Sequence, residues 1–217
     1  WIFYLIKLYR INLIMSNTKV LVFGSNGLVG NSVSRILKNS SKVEKLFLSQ
    51  RSDTDLEEKI QIEEKINEVK PDIIINCAAK VGGIYANNTY RTDFLIKNLK
   101  INLNLIESIK DISGLKLINL GSSCIYPLNA PDPIKESSFL DGKLEPTNSP
   151  YALGKIIGIE LGKEVSNEFG NEVINLMPTN MYGPFDNFTE LDSHVIPGLI
   201  HRMHLAKENK DPSFEIW

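Results

Sequence analysis

Cysteine is scarce in this chain: 217 residues contain two, Cys77 and Cys124. They lie far apart, form no metal-ligand spacing and set up no disulfide framework, so a reducing cytoplasm is the expected setting. An excess of charge of either sign is also missing. Against 26 Asp and Glu stand 24 Lys and Arg, a formal net charge of −2. Without a Lys/Arg-dense stretch there is no footprint for a nucleic-acid partner. Long hydrophobic runs are absent too. The opening WIFYLIKLYRINLI is apolar but too short for a membrane span, is broken by Lys7 and Arg10, and precedes no small-residue cleavage site. Met15 is therefore expected to be the true start, with residues 1–14 as upstream sequence. At the other end SFEIW reads as a strand with nothing after it, so the chain is expected to be a fragment.

What remains is an ordinary globular composition, 42% hydrophobic and 23% charged, long enough for one full core and the start of a second unit. From Lys19 the chain alternates between β-branched runs and segments of helical period. VLVF (20–23), KLFL (45–48), DIIINCAA (72–79), LKLINLGSS (115–123) and VINLMP (173–178) read as strands. Between them, residues 28–37, 55–69, 93–110 and 150–169 read as helices, the last with Ser149 as cap and Pro150 in its first turn. Continuous apolar strands alternating with helices predict right-handed βαβ crossovers and a doubly wound (Rossmann) parallel sheet, an α/β fold. The expected division is a dinucleotide-binding domain over 15–178 and the incomplete beginning of a substrate region over 179–217. Residues 129–150, rich in Pro, Ser and Asp, read as a long loop of the kind that carries function at strand C-termini.

Three details carry chemistry. Gly24, Gly27 and Gly30 follow the first strand and open the first helix. A pyrophosphate needs such a tight turn, close backbone approach and a helix N-terminus for its charge. The second strand ends LFLSQRSD, where an acid would hold a ribose 2′-hydroxyl and a cation a 2′-phosphate. Arg51 favours NADP, although Asp53 is close by. Finally, Tyr151 and Lys155 stand at i and i+4 on one helix face, and Ser122 at the end of the preceding strand. A tyrosine of ordinary pKa about 10 is a poor acid–base partner at neutral pH, and a nearby ammonium is expected to bring it down. Ser122 could then hold a substrate carbonyl while Tyr151 exchanges a proton with it.

That pattern resembles the extended short-chain dehydrogenase/reductase superfamily. The words AAKVGGIYANNTYRTDF, LGSSCIYP, LEPTNSPYALGK, MPTNMYGPFDNF and SHVIPGLIHR further resemble the GDP-L-fucose synthases within it, over Lys19 to about Trp217. The resemblance implies a bifunctional 3,5-epimerase and 4-reductase acting on GDP-4-keto-6-deoxy-D-mannose with NADPH, usually as a homodimer packed through helices 93–110 and 150–169. Hydrogens at C3 and C5 of a 4-keto sugar are acidic because their loss gives an enolate, and inversion needs a base on one face and an acid on the other. Cys124 resembles the family's base and His194 its acid. Ala78, Ala79 and Lys80 are implied to line the cofactor with Asn98 bracing them, and Pro178, Thr179 and Asn180 to form the nicotinamide-side loop. Asn180 and Arg202 are implied substrate contacts, Arg202 through the diphosphate. The chain has Asn26 where the family pattern carries an arginine in the glycine turn. Cys77 reads as structural, His201 and His204 as helix-surface residues, and no metal site is expected.

Two rivals stay open. Another nucleotide-sugar reductase or 4-epimerase would not need the pair Cys124 and His194. A dinucleotide-sensing module without turnover would not need Tyr151 as a proton donor. If truncated, the chain alone is expected to be poorly soluble or weakly active, with apolar surface uncovered.

Overall fold

The computed structural model describes residues 17–189 and 192–216, and the segment read as upstream sequence lies outside them. Strand β1 (Thr18–Phe23) leads into α1 (Leu28–Lys38), and β2 (Val43–Ser49) into α2 (Lys59–Val69). Next come β3 (Ile73–Asn76), α3 (Ile84–Thr89), α4 (Arg91–Ile109) and β4 (Lys116–Leu120). After β4 the chain makes a 3-10 turn at Ser123–Ile125, a second at Glu136–Ser138, then α5 (Ser149–Phe169), β5 (Glu172–Leu176) and α6 (Val195–Asn209). All strand pairs are parallel, in the order β2-β1-β3-β4-β5. The order reverses between β1 and β3, and a doubly wound sheet opens its ligand crevice at such a reversal.

Alternate residues of each strand face opposite sides, and both sides are apolar. Leu21, Phe23, Ile74 and Leu117 pack against Ile62, Ile66, Leu105 and Ile106 of α2 and α4. Val20, Val22, Ile73 and Ile75 meet Leu37 of α1 on the other side. The first side also buries polar residues in one row. Asn76 pairs with Asn119, and Asn119 with Asn175, across three adjacent strands. Asn76 Nδ2 donates to Asn119 Oδ1 at 3.0 Å, and Asn119 Nδ2 to both Asn175 Oδ1 (3.2 Å) and Asn102 Oδ1 (3.3 Å).

Four readings of the sequence are corrected. Helix α2 starts at Lys59 rather than at 55, because Glu57 N donates to Asp55 Oδ1 and Asp55 N to Gln61 Oε1, which spends those groups on a turn. Helix α3 was not legible: IYANNT has no apolar stripe, and it is held by Asn87 Nδ2 donating to the carbonyls of Gly82 and Gly83. SFEIW forms no strand through Ile216; it follows α6, with Arg202 donating to the Glu215 carbonyl at 3.2 Å instead of a ladder. The cap of α5 is Asn148, with Ser149 and Pro150 inside the first turn.

Helices α4 and α5 lie unusually close because α5 offers glycine to α4. A Cβ on Gly158 would stand 2.5 Å from Asn102 Cγ, and one on Gly154 would stand 2.8 Å from Asn98 Cβ. Gly158→Val should therefore force the helices apart and cost about 1–3 kcal/mol by overpacking, measured by urea unfolding. An unchanged midpoint would mean the contact is slack.

Candidate active site

The glycine turn forms a cradle between two strand ends. Gly24 has φ +70°, and a Cβ there would stand 2.7 Å from the Ala78 nitrogen at the exit of β3. A Cβ on Gly30 would overlap the Gly24 carbonyl oxygen. Gly27 donates to Gly24 O at 3.2 Å and accepts from Asn31 N at 2.8 Å, which starts α1. The N–H groups of that first turn have no partner within the helix and suit an anion, so the residues fit a dinucleotide pyrophosphate. Asn26 is exposed at the turn's tip. Arg51 sits just past β2, but its guanidinium is committed to Asp55 (3.2 Å) and Glu57 (2.8 Å).

Beyond β3, Ala78 N donates to Asn76 Oδ1 at 3.1 Å, and Ala79 leads to Lys80. Asn98 braces Lys80 in both directions, accepting from its N–H at 3.0 Å and donating to its carbonyl at 2.9 Å. Lys80 Nζ lies 3.9 Å from Asp93 and 5.5 Å from the centre of the Phe94 ring, which meets Tyr151 edge-on at 6.4 Å.

Four of the expected residues come together past β4. Ser122 Oγ accepts from Cys124 N at 3.3 Å and so opens the turn that carries the thiol. Ser123 N donates to Pro178 O at 3.1 Å, which ties this turn to the segment after β5. Lys155, 4% exposed, donates from Nζ to the Leu120 carbonyl at 2.7 Å. Burial brings its pKa down to about 8. Tyr151 departs from expectation. Burial, reinforced by Cys124, pushes its phenol up to about 12 despite the Ser122 hydroxyl, which favours the phenolate. Lys155 does not offset this because its ammonium is turned to Leu120 O, 5.8 Å from the Tyr151 ring centre.

His194 is the N-cap of α6, but its side chain makes no capping bond and is exposed. The preceding segment docks at the exit of β3, where Gly83 N donates to Asp192 O at 2.9 Å. Among the described residues no hydrogen bond joins His194 to the other four, and Asn180 is exposed beyond Pro178. Arg202, on α6, bonds the Glu215 carbonyl. Cys77 is half-buried at the exit of β3, with a thiol pushed up to about 12 by loss of water. Among the described residues no cluster could hold a metal, and no helix is long and apolar enough to cross a membrane.

The sequence reading missed the loop that sets the start of α5. Arg91 donates to Pro146 O (2.9 Å), Thr147 O (3.2 Å) and Ser149 Oγ (3.2 Å). Glu145 accepts from Thr147 N at 3.0 Å and Asn148 N at 3.1 Å. Bonds from the Thr147 hydroxyl and N–H hold its carboxyl below the usual range. Asn148 Nδ2 in turn donates to Cys124 Sγ at 3.6 Å. No sequence signal marks these contacts beyond the polar character of PTNS.

A serine, a thiol and a tyrosine–lysine pair beside a dinucleotide cradle define the class: a nucleotide-binding α/β protein of the dehydrogenase and epimerase kind. The chain belongs to the NAD dependent epimerase/dehydratase family, which matches residues 20–217. It is 42% identical over 203 residues to a GDP-L-fucose synthase of Escherichia coli (strain K12), covering 94% of this chain and 63% of the relative. To GDP-L-fucose synthase 1 of Arabidopsis thaliana it is 44% identical over 201 residues, 93% of this chain and 62% of the relative. The crystal structure of a GDP-L-fucose synthetase from Naegleria fowleri bound to NADP superposes with a TM-score of 0.82 at 29% identity, over 94% of this chain and 66% of that one. The chain thus spans about three fifths of the length of the two curated relatives.

The two buried groups give opposite pH trends. Lys155 binds fewer protons folded than unfolded between pH about 8 and 10.5, so its contribution makes stability rise with pH there, by about 3 kcal/mol over the window. Tyr151 stays protonated in the fold from pH 10 to about 12, so stability falls as pH climbs through that range. Urea unfolding from pH 7 to 11 should show the rise, and Lys155→Met should remove it; a rise of equal size in that variant would assign it elsewhere.

Proposed function

We propose that the protein carrying this chain is a bifunctional GDP-L-fucose synthase, a 3,5-epimerase and NADPH-dependent 4-reductase acting on GDP-4-keto-6-deoxy-D-mannose. The observation that carries this reading is the thiol of Cys124 beside Ser122 and Tyr151, since hydride transfer alone has no use for it. The relatives described above, named as GDP-L-fucose synthases, support it. Gly24, Gly27 and Gly30 would hold the NADP pyrophosphate, with Asn26 and Arg51 at its adenosine end and Ala78, Ala79, Lys80, Pro178 and Asn180 along its length. Bound NADPH would supply the hydride for C4. Division at 178/179 into a cofactor half and the start of a sugar-binding part is proposed on the same ground.

The residues divide the work. Ser122 holds the C4 oxygen by a hydrogen bond that strengthens as negative charge develops there. Cys124 takes the proton from C3 and from C5, and His194, whose side chain is not spent on its helix cap, returns one from the opposite face. A phenol neutral up to pH about 12 is in its donor form at neutral pH, so Tyr151 is ready to protonate the C4 oxygen once the carbon is reduced. Lys155, through its bond to the Leu120 carbonyl, fixes the end of β4 beside Tyr151. Arg202 and Asn180 would meet the GDP-sugar. A cytoplasmic homodimer is part of the proposal, supported by Ile96 and Leu103 of α4 and Leu153 of α5, apolar residues 46%, 40% and 43% exposed.

Proton NMR of the keto sugar in heavy water without NADPH tests the first step. Deuterium should enter at C3 and C5, and Cys124→Ser should abolish its entry. With NADPH present, Tyr151→Phe should slow reduction by about 10²–10⁴-fold. NADPH oxidation with no deuterium uptake in the unmodified protein would reduce the reading to a plain nucleotide-sugar reductase.

A further inference from the structure

Asparagine is a favoured helix N-cap because its side-chain oxygen can take an N–H of the first turn. Asn148 occupies the N-cap of α5 and makes no such bond. Its Nδ2 points instead at Cys124 Sγ, 3.6 Å away, and its Oδ1 is buried with no hydrogen-bond partner among the described residues. Both departures are destabilising: the cap is forgone and a carbonyl is left without a donor. They persist because the surroundings allow little else. Glu145 accepts from the Asn148 N–H at 3.1 Å, Ala152 N donates to the Asn148 carbonyl at 3.0 Å, and Arg91 donates to the carbonyls of Pro146 and Thr147. A buried polar group left unsatisfied in an otherwise well-bonded loop calls for an explanation beyond folding.

We infer that Asn148 is a positioning residue for the epimerisation step, aiming its amide N–H at the Cys124 sulfur to fix the sulfur's direction and to steady it as an anion. The inference rests on the epimerase reading. An N–H donor binds an anionic sulfur more strongly than a thiol, so the amide favours the form that accepts a proton. In that step the sulfur anion takes the proton from C3, the C–H electron pair moves toward the C4 oxygen as an enolate, and the sulfur becomes a thiol. A proton from His194 then forms the new C–H bond on the other face, and exchange with water resets both groups. The same sequence repeats at C5. Ser122, which accepts from the Cys124 N–H, holds the backbone of the turn, and Asn148 holds the side chain.

Two substitutions separate this role from capping. Asn148→Asp keeps the size but removes the N–H donor and sets a carboxylate near that of Glu145, so its melting temperature should fall below the parent's while the protein stays folded. Asn148→Leu removes the donor at similar volume without adding charge. In both, the maximal rate of deuterium uptake at C3 and C5 should fall about tenfold or more while KM for the keto sugar stays within about twofold. A second readout needs no substrate: alkylation of Cys124 by iodoacetamide, mapped by mass spectrometry with half-buried Cys77, whose thiol is held in its protonated form, as internal reference, should slow about tenfold in each variant. Uptake and alkylation at parental rates in both folded variants would overturn the inference. If the unmodified protein takes up no deuterium, the epimerase reading fails by itself. Alkylation then decides the sulfur contact: slowed, the amide acts on Cys124; unchanged, it does not. Should Asn148→Asp fail to fold, Asn148→Leu carries both measurements.

Discussion

A polar side chain taken out of water must find partners inside, and an asparagine needs several at once. The sheet buries such residues in one row, and the rest of the site depends on how they are satisfied. Asn76, Asn119 and Asn175 cross β3, β4 and β5 in register, and Asn119 also reaches Asn102 of α4. Asn102 donates to the Gly154 carbonyl of α5 at 3.1 Å, and Asn98, one turn earlier, clasps Lys80. Strand ends and helix faces are thereby locked into one rotation, because a slip of either helix would orphan several buried amides together. The glycines of α5 serve the same geometry, since only a bare backbone lets that helix approach Asn98 and Asn102 so closely.

This frame supports charge chemistry in a place that disfavours charge. Lys155 is almost fully buried, and its one protein hydrogen-bond acceptor among the described residues is a main-chain carbonyl. Keeping it there weakens the fold below its lowered pKa, because the ammonium gives up its water for a single carbonyl. Tyr151 is shifted the opposite way by the same loss of water, so at neutral pH the pair stands as a neutral phenol beside an easily neutralised amine. The Arg91 and Glu145 loop is the other half of the support. It fixes the first turn of α5, and with it the distance between Asn148 and the thiol.

Most of the architecture was legible along the chain. VLVF and the Ile73–Ile75 run are apolar without interruption because β1 and β3 are covered on both sides, whereas KLFL belongs to the edge strand β2, and the helical period of 93–110 and 150–169 marks α4 and α5 to within two residues. Helix α3 escaped because a short polar helix is held by tertiary bonds to Gly82 and Gly83 and leaves no periodicity. SFEIW misled because a strand-like composition yields a strand only beside an open edge. Arg51 was sought as a free cation, but the turn before α2 folds Asp55 and Glu57 onto it.

The sequence by itself determined the periodicities, the glycine turn, and the grouping of Ser122, Cys124, Tyr151 and Lys155, because each follows from local spacing or from residues at a strand end and on one helix face. Tertiary structure alone decided the direction of the Lys155 ammonium, the rise in the Tyr151 pKa, the commitment of Arg51 and the aim of Asn148. Those depend on which groups lose water and which distant atoms come within hydrogen-bond reach, and neither quantity is carried by neighbours along the chain.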